Sequence, residues 1–376
     1  MKIVHIITGL GNGGAEHTLY KICKYDINNK HIVISLTGSG KYFSLLKKLN
    51  IRVYKLNCNF FSIHKIFYLS KLLSLLKPNI VQTWLVHGDF VGSLAARLAG
   101  IKNIIWNIRY SNLEIGKAKF STILILKLLA KLSFSLPKSI ITVSKKAKKI
   151  YEIKGYDSKK LKFIANGYDL TILKPNKIQR INFKKKIKIK NHIPLIGNIG
   201  RYDPQKDHLN FLKALSLIRS KNINFFCVLV GFNINKKNIS LFSAIKRLKL
   251  SKNIKLLDQN NNIPQIMNGI DVYVQSSSYG EGFPNVVAEA MACGTPCVVT
   301  NVGDASNIVG STGWVVPPDN PAKLSNAIEK VICEINTSKW NKRCNKARLR
   351  IKKNFDIAKM VRYYNQLWID VLKKNK

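Results

Sequence analysis

Short β-branched runs, bounded by Gly, Asn or Pro and separated by segments of helical length, recur along the whole chain. In the first half they are Lys2–Thr8, His31–Leu36, Arg52–Leu56, Ile80–Trp84, Asn103–Ile108, Ser139–Val143 and Lys162–Ile164. In the second half they are Pro194–Ile199, Phe225–Val230, Asn253–Leu257, Asp271–Gln275, Pro296–Thr300 and Trp314–Val316. Strands that alternate with helices predict βαβ units and parallel sheets covered on both faces. Two such series in 376 residues predict an α/β protein of two doubly wound domains, 1–175 and 193–356. Between them, residues 176–192 carry many charges and little apolar pattern, and read as a solvated linker. Beyond them, Met360, Val361, Tyr364, Leu367, Trp368 and Val371 recur at helical spacing within Ile357–Leu372.

The formal net charge is +44, from 63 Lys and Arg against 19 Asp and Glu. An excess of this size points to an anionic partner: nucleic acid, anionic lipid or a phosphorylated small molecule. It is spread evenly, however, with 29 basic and 7 acidic residues in 1–175 and 34 and 12 in 176–376, or +22 in each half. A nucleic-acid reader concentrates charge on one face or in a tail, so no nucleic-acid partner is expected. Attraction to an anionic membrane surface is the functional reading of the charge, and a compositional bias towards Lys, Asn and Ile is the bland one. Basic, apolar segments at 61–77 and 117–138 suit either a membrane surface or ordinary covering helices.

Seven cysteines without a C-x-x-C pair predict reduced thiols in a cytoplasmic compartment and no zinc ribbon. The opening MKIVHIITGLGNGG reads as a first strand rather than a signal peptide, and Phe120–Leu136, broken by Lys127 and Lys131, is too short to span a bilayer.

The first strand runs into Gly9, Gly11, Gly13 and Gly14 and then a helical segment, fitting G-x-G-x-x-G. Glycines there let backbone N–H groups approach a phosphate at a helix N-terminus, and a plain tight turn is the alternative. A full NAD site also needs an acid at the end of the second strand, where Ser35-Leu36-Thr37-Gly38 has none. In the second half, Arg201 and Lys206 follow the strand Pro194–Ile199 and form a compact cationic corner for phosphate oxygens. Further on, Glu281-Gly282-Phe283-Pro284-Asn285 leads into a helix that carries Glu289 among apolar neighbours. A loop Glu beside exposed amides can accept hydrogen bonds from sugar hydroxyls, and a Glu on the first helical turns can hold a ribose diol. A carboxylate buried in that helix would need a partner.

These motifs resemble the GT-B, nucleotide-sugar-dependent retaining glycosyltransferases of family 4, particularly bacterial O-antigen, capsule and exopolysaccharide members. Glu281 and Glu289 match the E-x7-E signature in its full context, Glu281-Gly-Phe-Pro-Asn-Val-Val-Ala-Glu-Ala-Met-Ala-Cys-Gly294. The resemblance also takes in 11–16, Trp84 to Asp89, 105–109, 166–169, Gly200-Arg201 and Lys206, nearly the whole chain. It implies two Rossmann-like domains facing each other across a cleft, with the final segment 357–376 returning to the first. It implies transfer of a sugar, UDP-linked, to a lipid-linked glycan in bacterial surface polysaccharide synthesis, peripherally at the inner membrane face. Glu281 would then contact the donor sugar, helped by the backbone of Gly282, Phe283, Pro284 and Asn285. Glu289 would hold the ribose, and Arg201 and Lys206 would neutralise the diphosphate together with Gly13 and Gly14. His87 and Asp89 would stand near the reacting carbon, with Arg109 on the same acceptor wall; a structural histidine is the alternative for His87. No Asp-x-Asp pair is present, so no metal or other cofactor is expected. Asp258 stands where many members have glycine, which affects the base-binding wall. A sugar-nucleotide epimerase of the same architecture and a non-enzymatic nucleic-acid-binding protein are the rival classes.

Overall fold

The computed structural model describes residues 1–57, 63–109, 120–190, 192–259 and 262–373. Cys58, the first residues of the basic segment 61–77 and residues 117–119 lie outside them. The chain divides into two compact units, Met1–Gly167 with Ile357–Lys376, and Tyr168–Asp356.

The first unit runs β1 (Lys2–Ile7), α1 (Gly14–Tyr25), β2 (Lys30–Ser35), α2 (Lys41–Lys48), β3 (Arg52–Lys55), α3 (Ile63–Leu76) and β4 (Ile80–Trp84). It continues through α4 (Leu85–Leu98), β5 (Ile104–Ile108), α5 (Phe120–Leu132), β6 (Ser139–Thr142), α6 (Lys145–Ile153) and β7 (Leu161–Phe163). Its seven strands are all parallel in the order β3-β2-β1-β4-β5-β6-β7. Successive side chains of a strand point to opposite faces, so β1 feeds two cores. Val4 and Ile6 join Leu69 and Leu73 of α3 and Ala95 of α4. Ile3 and Ile7 join Leu19 and Ile22 of α1 on the other face.

The second unit runs α7 (Lys177–Lys186), β8 (Leu195–Ile199), α8 (His208–Ser220), β9 (Phe226–Val230), α9 (Ile239–Arg247), β10 (Ile254–Leu257), α10 (Ile263–Gly269) and β11 (Val272–Gln275). It closes with α11 (Asn285–Ala292), β12 (Cys297–Thr300), α12 (Ala305–Val309), β13 (Trp314–Val316), α13 (Pro321–Glu334) and α14 (Ser338–Phe355). Six parallel strands take the order β10-β9-β8-β11-β12-β13. Strand order reverses between β1 and β4 in one sheet and between β8 and β11 in the other. Crevices beyond the carboxyl ends of strands at such switch points are where open α/β sheets take ligands. All thirteen runs read from the sequence are strands.

The segment read as a solvated linker is different. It holds α7, capped by Asn176, whose side chain accepts from Gln179 N. Phe183 is 1% exposed and lies against Gly269, where any Cβ would strike its ring. Lys184 is equally enclosed, 3.2 Å from Asp271, which also accepts from Arg180 and from Leu195 N. One aromatic and one buried lysine make too thin an apolar stripe to stand out among charges, and the carboxylate that compensates Lys184 lies 87 residues away.

The last helix, α15 (Ile357–Lys373), belongs to the first unit. Met360, Tyr364, Trp368 and Val371 are buried with Ile3 and Ile7.

Candidate functional site

The second unit gathers its polar residues at the β8/β11 switch point. β8 ends at Ile199, and a short 3₁₀ turn, Pro204–Lys206, follows. Asp203 holds that turn: one carboxylate oxygen accepts from Gln205 N at 2.9 Å and the other from Arg201 Nε at 2.8 Å. Asp207, left-handed at φ 47°, caps α8 by accepting from Asn210 N. The left-handed residue turns the chain sharply, so Lys206 ends the loop beside β11. There Lys206 Nζ donates to Glu281 Oε1 at 2.6 Å, and Ser277 Oγ donates to the same oxygen at 2.7 Å. Ser276 Oγ donates to the Lys206 carbonyl and Ser278 N to the Gln205 carbonyl, binding the exit of β11 to the exit of β8. Arg201 is exposed, and its side chain reaches Asp203 and Gln205. The structure therefore brings Arg201, Lys206 and the Glu281 turn together on one sheet edge.

The turn itself is tightly set. Gly280 has φ +71°, and Gly282 O accepts from Asp304 N at 2.9 Å. Gly303 has φ +55°, and a Cβ there would collide with the Glu281 carbonyl. Gly231, at φ +155°, sits as closely against the Gly200 carbonyl. Phe283 is packed, 7% exposed, with ring centroids 6.5 Å from Tyr168 and 5.4 Å from Phe355, and Pro284 beside it is buried. Only their backbone suits a ligand. Asn285 accepts from Tyr168 Oη at 2.6 Å and begins α11, whose cap, Pro284, makes no side-chain cap bond. Glu289 is half-buried, rather than buried as its neighbours suggested. Sequence reading missed Ser276, Ser277, Tyr168, Gly231 and Gly303. A Ser-Ser-Ser run at a strand's carboxyl end and a Gly-Asp pair just past β12 were the available signals.

In the first unit, Gly13 caps α1 without a side-chain bond and Gly14 begins it. The Glu16 carboxyl lies against Gly13, and burial pushes it above the usual carboxylate range. His87 stands half-buried in the first turn of α4, and burial holds its imidazole below the ordinary value, hence neutral at pH 7. Asp89, expected from the resemblance to stand near the reacting carbon, follows His87 in α4. It is 1% exposed and accepts from Thr83 Oγ1 at 2.6 Å. Two residues on from His87, about 100° of helical turn each, its side chain swings under the sheet edge. Burial raises its carboxyl to about 8, so it holds its proton at neutral pH.

Arg109, just past β5, donates from Nε to Asn107 Oδ1 at 2.8 Å, from Nη1 to Asn166 Oδ1 at 2.5 Å and from Nη2 to Tyr364 Oη at 2.7 Å. Its guanidinium also lies 5.4 Å from the centroid of the Trp84 ring. Trp84 Nε1 donates to His5 Nδ1 at 3.2 Å, so His5 carries its proton on Nε2 and gives it to His31 Nδ1 at 3.0 Å. His31 Nε2 then donates to Asp26 Oδ2 at 3.0 Å. Burial opposes the Asp26 charge, but hydrogen bonds from His31 and Asn29 bring the carboxyl down to about 2. One ring nitrogen from each of His5 and His31 and the Cys23 sulfur lie within 4.8 Å of one another. Because the indole N–H occupies His5 Nδ1, His5 Nε2 carries a hydrogen and offers no lone pair, so this group does not fit a metal.

Residues 179–354 match the family Glycosyl transferases group 1. The chain is similar to UDP-Gal:alpha-D-GlcNAc-diphosphoundecaprenol alpha-1,3-galactosyltransferase of Escherichia coli, 29% identical over 81% of this chain and 78% of that one. It is also similar to N-acetylgalactosamine-N,N'-diacetylbacillosaminyl-diphospho-undecaprenol 4-alpha-N-acetylgalactosaminyltransferase of Campylobacter jejuni, 27% identical over 54% of this chain and 52% of that one. Among solved structures it resembles a glycosyltransferase from Rickettsia africae, with TM-score 0.87, 22% identity and 99% and 98% of the two chains covered. It resembles Anabaena HepE in complex with UDP and glucose with TM-score 0.85, 21% identity and 98% and 100% covered. The fold is GT-B.

Proposed function

We propose that this glycosyltransferase, a group 1 enzyme by the domain over residues 179–354, moves a sugar from a UDP-sugar to a lipid-diphosphate-linked glycan with retention of configuration. The observation that carries the donor side is the convergence of Arg201, Lys206, Ser277 and Glu281 at the β8/β11 switch point. Breaking the donor's C1–O bond leaves charge on a diphosphate while an oxocarbenium-like centre develops. Fixed cations aimed at the departing oxygens supply the largest share of such stabilisation. Arg201 and Lys206 take that role and no metal is assigned to it. Glu281 orients the sugar, the backbone of 282–285 reads its far side and Glu289 holds the ribose. Gly13 and Gly14 offer amides to a phosphate oxygen. The acceptor oxygen bonds to C1 on the face the diphosphate leaves, and the acceptor proton passes to the leaving phosphate.

The UDP donor and lipid-diphosphate acceptor are supported by the names of the Escherichia coli and Campylobacter jejuni relatives and by the HepE complex. No described helix is long and apolar enough to cross a membrane. Phe67, Tyr68 and Leu75 of α3 and Leu124 and Leu128 of α5 are nevertheless 42–73% exposed, among Lys71, Lys127 and Lys131. Apolar side chains ringed by lysine suit an anionic bilayer surface, so we place the protein peripherally at a membrane, on its cytoplasmic face, in surface polysaccharide synthesis. Calorimetry with UDP-, GDP- and ADP-sugars tests the reading. A UDP-sugar should bind and raise Tm, and its transfer to a lipid-diphosphate acceptor should follow. Absence of any nucleotide-sugar binding would refute it, and isomerised donor without transfer would favour an epimerase.

A further inference from the structure

Arg109 differs from the ion-paired arginines of the chain. Arg180, Arg201 and Arg343 each meet a carboxylate. None of the ion pairs among the described residues includes Arg109. Its three acceptors among the described residues are two amide oxygens and a phenol, all neutral. A half-buried guanidinium with neutral partners keeps its full charge in surroundings that screen it poorly. Five N–H groups less the three bonds among described residues leave one donor on each terminal nitrogen.

The group is also held still. Trp84 backs it, the chain His5–His31–Asp26 fixes the Trp84 ring, and Tyr364, which accepts from Arg109, stacks with Trp84 at 6.5 Å between centroids. Its partner Asn107 pairs with Trp84 in the β4–β5 register, one strand from the β1/β4 switch point. Asn166 Oδ1, which accepts from Arg109, also accepts from Thr18 Oγ1, and that hydroxyl is bonded to the Gly14 carbonyl at the start of α1. Arg109 is thus tied to both loops that close the first sheet's crevice.

We infer that Arg109 is the residue that binds the diphosphate of the lipid-linked acceptor, so that the first unit selects an anionic carrier rather than the glycan alone. This rests on the acceptor class proposed above. A pinned guanidinium with two remaining donors matches adjacent phosphate oxygens, and its neutral partners leave its charge for the ligand.

The test is direct binding to the full chain with UDP at saturation, so that the donor site is filled. The probes are farnesyl diphosphate, inorganic pyrophosphate and farnesol. Wild type should bind farnesyl diphosphate well, pyrophosphate more weakly and farnesol least. Arg109→Gln should weaken farnesyl diphosphate about 10- to 100-fold, leave farnesol unchanged and leave UDP affinity unchanged. Should Arg109→Gln not fold, Arg109→Lys decides, with an expected weakening of about tenfold. Equal affinity of wild type and variant for farnesyl diphosphate, or no binding of it by wild type, overturns the inference. Pyrophosphate binding as tight as farnesyl diphosphate also overturns it, in favour of a free-phosphate site. Loss of UDP binding by wild type would instead sink the donor reading, so the two failures are distinguishable.

Discussion

Lys206 and Glu281, 75 positions apart in sequence, share a hydrogen bond of 2.6 Å at the edge of the second sheet. The bond orients both groups before any substrate arrives, and Ser277 donates to the same Glu281 oxygen. Removing either partner therefore alters the direction of the remaining charge as well as the charge itself.

Lys206→Ala and Arg201→Ala should each lower kcat about 10²–10³-fold at saturating donor, measured as UDP release. Glu281→Ala should disable transfer to a similar degree. Near-normal turnover in both cation variants would remove the corner from the mechanism.

Gly303→Ala should damage catalysis without touching a substrate directly. At φ +55° against the Glu281 carbonyl, the added methyl forces the turn to move, at about 1–3 kcal/mol. We expect a kcat/KM loss of roughly tenfold or more, read from donor-dependence curves, while Gly38→Ala, with open space around its Cβ, stays near wild type.

Asp89 sets a pH dependence of stability. Its carboxyl is raised by burial from 3.8 to about 8, so the folded state holds a proton that the unfolded chain releases. The group's contribution is complete below pH 3.8 and is lost progressively as pH rises to about 8. Asp89→Asn should flatten that slope, gaining on wild type in urea midpoints between pH 5 and 8.5. Parallel curves for the two proteins would contradict the buried, protonated carboxyl.

Asp271→Ala should destabilise the second unit by about 3–5 kcal/mol, because Lys184 stays enclosed with its compensating carboxylate gone. Thermal melting reads the effect, and an unchanged Tm would mean that Lys184 reaches water.

The triple substitution Phe67→Ser, Tyr68→Ser and Leu75→Ser should abolish flotation with anionic liposomes and leave UDP-sugar affinity intact. Retained flotation would move the membrane contact elsewhere.

The strands were legible because parallel, doubly covered strands are unbroken β-branched runs, and the Glu281–Glu289 spacing was legible because its loop and helix are local. What escaped depends on partners distant in the chain. α7 looked like linker because Asp271, which makes Lys184 tolerable inside, is in another element. The enclosure of Asp89 was not legible because the sequence does not reveal that two helical steps carry it under Thr83. Tyr168 is a lone aromatic until Asn285 meets it. Arg109 was flagged, but its setting, without a carboxylate partner among the described residues, is visible only once Asn107, Asn166 and Tyr364 converge.

α15 completes the first unit, Trp368 reaching Gln82 and Tyr364 reaching Asn107 and Arg109. On the ribosome, Tyr168–Asp356 must emerge before those bonds can form, a delay of roughly ten to forty seconds at about 5–20 residues per second. Throughout it, the part of the β1 and β4 face that Met360, Tyr364 and Trp368 cover stays exposed beside α1, a vulnerable interval for chaperone capture or misassociation, and Arg109 waits for Tyr364.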